Sequence, residues 1–200
     1  IVWDGTGSML NDYIPLPHVH VIGLGYKART GKDFAARAIS DRVQDARIYA
    51  VSDAISAYCR VAKGMTVRDP KLLQEAGYAL RQDDPEIWVR SLYWRIEEDR
   101  PSVALITGVR FVNEIAMIRS IGGSVWRIDR VDEQGRPFEA DDRPADHPTE
   151  TALDGVEFDV VLTNKTGCQD QFRRDVWDAY IDNTAYGRFI SSSYGLECDF

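Results

Sequence analysis

A Gly-Lys pair after the first apolar run of this chain has the residue types that bind phosphate. Residues 19–24 are mostly apolar, a loop follows that ends at Gly31 and Lys32, and an amphipathic segment begins at Asp33. A loop between a strand and a helix points free backbone N–H groups and the positive helix end at one place, which suits a polyphosphate. Lys32 would add a mobile positive charge for the outer phosphates. The pattern therefore favours a phosphate-binding loop over an ordinary strand-to-helix turn.

Two positions of this loop depart from the pattern G-x-x-x-x-G-K-[ST]. Tyr26 stands at the position of the first glycine, with Gly25 one residue too early, and Asp33 stands at the position of the Ser or Thr that reaches magnesium. The phosphate-binding loop is therefore predicted from its place between a strand and a helix as well as from its residue types.

Composition limits the classes of protein to which the chain could belong. Its 200 residues suit a single domain with a sizeable core, and 44% of them are hydrophobic. No membrane-spanning run and no secretory signal are visible, and the scattered Cys59, Cys168 and Cys198 fit a reducing cytoplasm. The net charge of −8 argues against a nucleic-acid polymer as partner, but local arginines could still bind a small anion. We expect a cytoplasmic protein without a membrane partner.

The elements that must position these residues alternate along the chain. Further apolar runs at residues 47–51, 103–107, 124–128 and 158–162 predict strands, and helical patterns separate them. Asp69-Pro70 and Asp84-Pro85 are typical helix starts. The sequence thus predicts an α/β fold: a five-stranded parallel sheet with helices on both faces. Isolated histidines on a strand are usually structural, so His18 and His20 are assigned no chemistry.

Three regions carry further predictions. Residues 52–100 form a helical region between the second and third predicted strands. Its arginines at 68, 81, 90 and 95 are either solvated surface residues, or one or two of them face the phosphate site. Residues 129–147 have the composition of a mobile lid, whose Arg130, Arg136 and Arg143 could close over phosphates. Residues 183–200 are interpreted as a loosely packed tail. Asp53 is either a helix N-cap or a substrate contact.

Four blocks in order, over roughly residues 18–180, resemble those of the bacteriophage deoxynucleoside monophosphate kinases, a branch of the P-loop kinases. The blocks are A-R-T-G-K-D at 28–33, L-Q-E-A-G at 73–77 with Arg81 and Trp88-Val89, G-V-R-F-V-N-E at 108–114, and H-P-T-E at 147–150 followed by L-T-N-K-T-G at 162–167. Asp33 belongs to this family's pattern. Phe34 replaces its threonine and Gly108 replaces its aspartate, an acid that would help to hold magnesium.

This resemblance implies a P-loop kinase-type three-layer fold with a helical acceptor-binding insertion and a short lid. It also implies transfer of the γ-phosphoryl group of ATP, with Mg²⁺, to a deoxynucleoside monophosphate. The ATP-binding residues would be Lys27, Ala28, Arg29, Thr30, Gly31, Lys32, Asp33 and Phe34, with Asn164 and Lys165 beside the adenine. The acceptor residues would be Asp53, Arg68, Arg81, Trp88, Arg110 and Glu150, although Trp88 also suits core packing and Arg110 could simply pair with Glu114.

The same resemblance assigns the catalytic charges to Lys32, Arg110, Arg130 and Arg143, and the metal ligand to Asp33. The cytoplasm would be that of the host cell if the chain is phage-encoded, and a homodimer is possible. Two alternatives stay open: another P-loop small-molecule kinase, such as a dephospho-coenzyme A kinase, and a nucleotide-binding regulator that has lost catalysis, suggested by Tyr26 and Gly108.

Overall fold

A five-stranded sheet forms the centre of the computed structural model, which describes residues 13–138 and 146–184. The strands are β1 (His20–Gly25), β2 (Ala46–Ala50), β3 (Val103–Val109), β4 (Ser124–Val131) and β5 (Val160–Lys165). The helices are α1 (Lys32–Ser40), α2 (Ser52–Lys63), α3 (Pro70–Asp83), α4 (Ile87–Asp99), α5 (Val112–Ser120), α6 (Pro148–Thr151) and α7 (Gln169–Asn183).

The strands lie in the order β2-β3-β1-β4-β5, and every pair is parallel. Ile22 on β1 is in register with Leu105 on β3 and with Ser124 on β4. The central strands β1 and β3 are buried along nearly their whole length, as their continuous apolar runs require. The predicted α/β fold with a five-stranded parallel sheet is confirmed.

Apolar side chains on both faces of the sheet make the fold three-layered. On one face Val21 and Ile106 pack with Met117 and Ile118 of α5 and with side chains of α4. On the other face Ile22, Leu24 and Trp126 pack with α1 and with Phe172, Val176 and Tyr180 of α7. Alternate residues of one strand thus face opposite helical layers, which fixes the strand register.

Helices α2, α3 and α4 form a helical region with its own small core. Ile55, Cys59, Leu73, Ala76 and Trp88 are buried together there. Asp69 caps α3 as predicted, since its carboxylate accepts the N–H groups of Lys71 and Leu72.

The predicted start of the next helix was two residues too early. The cap of α4 is Glu86, and Asp84 instead accepts the Glu86 N–H at 3.1 Å and pairs with Arg90. The Asp-Pro signal therefore marks the turn before this helix rather than its cap.

The region predicted as a lid is partly regular structure. Strand β4 continues to Val131, the chain turns at residues 132–135, and Pro137 forms an antiparallel bridge with Val131. The prediction of a loop from residue 129 was therefore wrong for residues 129–131, which belong to β4. Arg143 and the other residues of 139–145 lie outside the described residues, as does the predicted tail from residue 185.

No helix within residues 13–138 and 146–184 is long and apolar enough to cross a membrane.

Two tryptophans on α4 give a matched test of the small helical core. Trp88 is 4% exposed and Trp94 is 61% exposed. We expect Trp88→Ala to lower the free energy of unfolding by about 3–5 kcal/mol, because it leaves a cavity. Trp94→Ala should change it by less than about 1 kcal/mol. Urea unfolding of both variants measures the difference, and equal losses would contradict the packing assigned to Trp88.

Candidate phosphate-binding cleft

The loop between β1 and α1 has a backbone conformation that depends on Gly31. This residue precedes α1 with φ of +105°, a conformation that side chains disfavour. A Cβ atom here would lie 2.5 Å from Nδ2 of Asn164. That amide donates to the carbonyl oxygen of Thr30 at 2.8 Å. Asn164 therefore braces the loop where Gly31 leaves room for it.

Lys32 lies on this loop and is nearly buried, at 8% exposed. Its ammonium group donates to the carbonyl oxygen of Lys27 and to Oγ1 of Thr30 at 3.2 Å. Lys32 also lines the adjoining cleft. Its charge is therefore held at the rim of the loop, beside the first turn of α1, whose N–H groups have no intrahelical partner.

The back of the loop is bound by the protein's own carboxylate. Oε2 of Glu150 accepts the backbone N–H of Ala28 at 2.9 Å, and Oε1 accepts from Nη1 of Arg110 at 2.6 Å. Glu150 is 5% exposed. Lys27 and Ala28 do not line the cleft, whereas residues 29–34 do. Of the stretch predicted to bind phosphate, residues 27–34, the last six therefore line the cleft.

A second buried carboxylate, Glu114, holds the other wall. Oε2 of Glu114 accepts the backbone N–H groups of Arg110 and Phe111, at 2.7 and 3.1 Å, and Oε1 accepts from Arg81 at 3.0 Å. Burial raises the pKa of Glu114, and these donors act against that rise. The predicted pairing of Arg110 with Glu114 thus runs through the Arg110 backbone, while its side chain binds Glu150 and the Thr149 carbonyl oxygen.

These groups surround one cleft of about 1080 Å³ beyond the carboxyl ends of β1, β2 and β3, where ligands of parallel sheets collect. Among the residues that the structure describes, six cationic and three acidic side chains line it: Arg29, Lys32, Arg68, Lys71, Arg81 and Arg110, with Asp33, Asp53 and Glu114. This local excess of positive charge, in a chain of net charge −8, suits an anionic ligand.

Of these three carboxylates, Asp33 is the one whose oxygens have no partner among the described residues. Glu114 is used by Arg81 and two backbone N–H groups, and Asp53 accepts from Arg95 at 2.8 Å and from the Ala50 N–H at 3.3 Å. Asp33 is exposed and makes no hydrogen bond or ion pair with the described residues. One carboxylate fits a magnesium ion that arrives with a nucleotide, because Mg²⁺ keeps waters and phosphate oxygens as its other ligands.

Gly108, where the resembled family has aspartate, lies in a β-bulge. The register between β1 and β3 shifts here, so that Leu24 faces Thr107 and Gly25 faces Val109. Gly108 has φ of +80°, and a Cβ atom would meet nothing within 4 Å. Space alone would allow a side chain, but the left-handed backbone favours glycine.

Several predicted site residues do not line the cleft. Trp88 lies in the core of the helical region, where its indole N–H donates to the Gly77 carbonyl oxygen at 3.1 Å. This position matches the core packing that the sequence also suited. Lys165 is exposed and, like Asn164, does not line the cleft. Arg130 donates to the Arg29 carbonyl oxygen at 3.3 Å and lies over the Phe138 ring, while exposed Arg136 pairs with Asp132.

Other predicted residues are placed at the cleft. Arg29, Thr30, Gly31, Asp33 and Phe34 lie at the loop end, and Asp53, Arg68, Arg81 and Arg110 lie on the facing walls. Asp53 is not the N-cap of α2, since that helix starts at Ser52 with Val51 at the cap.

The sequence interpretation missed several residues of the cleft wall: Ser52, Ser56, Lys71, Gln74 and His147. Gln74 and His147 lie 2.8 Å apart between their Nε2 atoms, which joins α3 to the segment before α6. Both residues belong to the sequence blocks quoted above, and their membership of these blocks was the signal that could have identified them as cleft residues.

Fold and site together describe an α/β protein with a five-stranded parallel sheet, in which the loop after β1 opens on a positively charged cleft. No family model matches the sequence, and no curated protein sequence matches it. Among solved structures, the chain is similar to the tunicamycin resistance protein of Deinococcus radiodurans, with 14% identity and a TM-score of 0.40. That match covers 80% of this chain and 94% of the other. The resemblance to the phage kinases therefore stays a prediction.

The contact between Gly31 and Asn164 gives a testable coupling. Gly31→Ala should destabilise the fold, because it adds a left-handed backbone cost of about 1–2 kcal/mol to a steric clash. Asn164→Ala should cost about 0.5–1.5 kcal/mol for the lost hydrogen bond. Because Asn164→Ala also removes the clashing amide, we expect the double variant to lose at least about 1 kcal/mol less than the sum of the single variants. Urea unfolding measures all three, and strictly additive losses would contradict this packing.

Proposed function

We propose that this protein transfers the terminal phosphoryl group of ATP to a deoxynucleoside monophosphate, giving ADP and the diphosphate. One observation carries the proposal: a single cleft joins the Gly31-Lys32 loop at one end to Arg81 and Arg110 at the other. Two phosphorylated ligands bound there would have their phosphates between the two ends. Phosphoryl transfer requires mainly such positioning and neutralisation of spread negative charge.

The loop end is proposed to bind ATP. Residues 29–34 line the cleft with the start of α1, and Lys32 lies beside them. Backbone N–H groups at a helix start favour phosphate oxygens, and the lysine would move from the loop oxygens to the outer phosphates. Asp33 would bind the Mg²⁺ that accompanies the nucleotide, which would neutralise part of the developing charge.

The other end is proposed to bind the acceptor phosphate. Arg81 and Arg110 each direct one side of the guanidinium to a buried carboxylate. A guanidinium has five N–H donors, so each arginine keeps donors for phosphate oxygens. An oxygen of the acceptor phosphate would attack the γ-phosphorus, and the bond to the β–γ bridging oxygen would break, with ADP as leaving group.

The nature of the acceptor is supported by the sequence blocks rather than by the cleft geometry. Gln74, Arg81 and Arg110 belong to blocks that resemble the phage deoxynucleoside monophosphate kinases, and all three line the cleft. The arginine pair suits any phosphate monoester, so a panel of acceptors is the decisive measurement.

Lys32 provides the test of the proposed function. In an ADP-release assay with ATP, Mg²⁺ and a panel of deoxynucleoside monophosphates, we expect Lys32→Ala to lower kcat at least about 10²-fold, the scale of a lost charge stabilisation in the transition state. The matched control is Lys63→Ala, an exposed lysine that does not line the cleft, which should keep its activity. Thermal unfolding of both variants checks that the fold is retained.

Other results of the same assay would overturn the proposal. Turnover of coenzyme A precursors but of no nucleotide would favour another small-molecule kinase. ATP binding without turnover of any acceptor would favour a regulator that has lost catalysis. Unchanged activity of Lys32→Ala would place the donor site elsewhere.

A further inference from the structure

A second, smaller pocket adjoins the acceptor side of the cleft. It has a volume of about 410 Å³ and lies between α2, α4 and the segment before α3. Asp53, Ser56, Arg60, Met65, Arg68 and Arg95 line it. Asp53, Ser56 and Arg68 also line the main cleft. A ligand in the cleft could therefore extend past these three residues into the second pocket.

Three guanidinium groups meet at this pocket with one carboxylate. Arg95 donates to Asp53 at 2.8 Å and lies over the Tyr49 ring at 5.2 Å, so both its charge and its plane are held. Arg60 and Arg68 form no hydrogen bond or ion pair with any residue that the structure describes. Both side chains are exposed, and no residue that the structure describes balances either charge, although the net charge of the chain is −8.

The three exposed arginines come from three separate segments of the chain and line the same recess, so their like charges lie in one neighbourhood. An anion would reduce the repulsion between them. The planar guanidinium group of arginine can donate two hydrogen bonds to the oxygens of one phosphate, and three such groups can surround one phosphate.

We propose that Arg60, Arg68 and Arg95 form a second phosphate site, and that it binds a further phosphate group of the acceptor. The acceptor would then be a deoxynucleoside 5′-monophosphate that carries a second phosphate group on its sugar, as in a 2′-deoxynucleoside 3′,5′-bisphosphate, and its 5′-phosphate would still accept the phosphoryl group. One phosphate would lie at Arg81 and Arg110, and the other would lie beyond Ser56 in the arginine pocket. This assignment of the ligand rests on the proposed function, whereas the phosphate site itself does not.

Direct binding without ATP tests this inference. Isothermal titration calorimetry would compare 2′-deoxynucleoside 3′,5′-bisphosphates with the matching 5′-monophosphates, in the adenine and thymine series. We expect the bisphosphate to bind about tenfold or more tightly, the scale of a charged hydrogen bond. Arg60→Gln should remove most of this advantage.

Two further variants separate charge from geometry. Lys63→Gln removes one positive charge from the same helix, but Lys63 does not line the pocket, so the advantage should persist. Arg60→Lys keeps the charge without the planar guanidinium group and should give an intermediate advantage. Equal effects of Arg60→Gln and Lys63→Gln would overturn the site, because only net charge would then matter.

The remaining outcomes are also decisive. Equal affinity for bisphosphate and monophosphate in the unaltered protein would overturn the proposed acceptor class. Inorganic pyrophosphate that binds beside a saturating monophosphate, and is lost in Arg60→Gln, would keep the site but assign it to a separate ligand. If no nucleotide phosphate binds at the cleft, the proposed function fails, while pyrophosphate binding still reports on the pocket. No binding of any of these ligands would overturn both.

Discussion

The geometry of the cleft depends on one buried carboxylate, Glu150. One of its oxygens accepts the Ala28 N–H of the loop at 2.9 Å, and the other accepts the Arg110 guanidinium at 2.6 Å. A buried carboxylate is unfavourable without such partners, so both contacts favour its burial. The loop at one end of the cleft and the arginine at the other are thereby held at a fixed separation. A reaction that depends on bringing two phosphates into line needs this kind of fixed distance.

Two of the cleft arginines are each paired with a buried carboxylate. Arg81 pairs with Glu114 and Arg110 pairs with Glu150, while both arginines also border the open space. Each carboxylate orients a guanidinium without using all of its donors. An anionic ligand therefore meets arginines that are already positioned, and less side-chain entropy is lost when it binds. The same arrangement explains how an acidic chain keeps a positively charged cleft.

The sequence predicted the sheet well because its strands are buried on both faces and read as continuous apolar runs, as in residues 103–107. It failed at residues 129–131, where Asp129 and Arg130 extend strand β4 next to the edge strand β5. The polar composition of this stretch is typical of a loop. The loop and Lys32 were predictable because the apolar run, the Gly-Lys pair and the helix start follow one another along the chain. The bond between Ala28 and Glu150 was not, because only the fold brings positions 122 residues apart together. Local patterns carry no information on such pairs.

Tyr26 shows how a departure from a consensus loop can be accommodated. Glycine at this position would leave the loop free of side chains, but the Tyr26 ring is 1% exposed and does not line the cleft. It lies beside Phe158 and beneath the Arg127 guanidinium, and its hydroxyl group donates to Asp154. Asp154 and Glu150 belong to the same short segment, so the tyrosine side chain and the Ala28 N–H attach the loop to one support. Because this side chain points away from the space beside Gly31 and Lys32, the substitution leaves room for phosphates. The loop is thus held by side-chain contacts from behind, and the missing glycine is no argument against a nucleotide site.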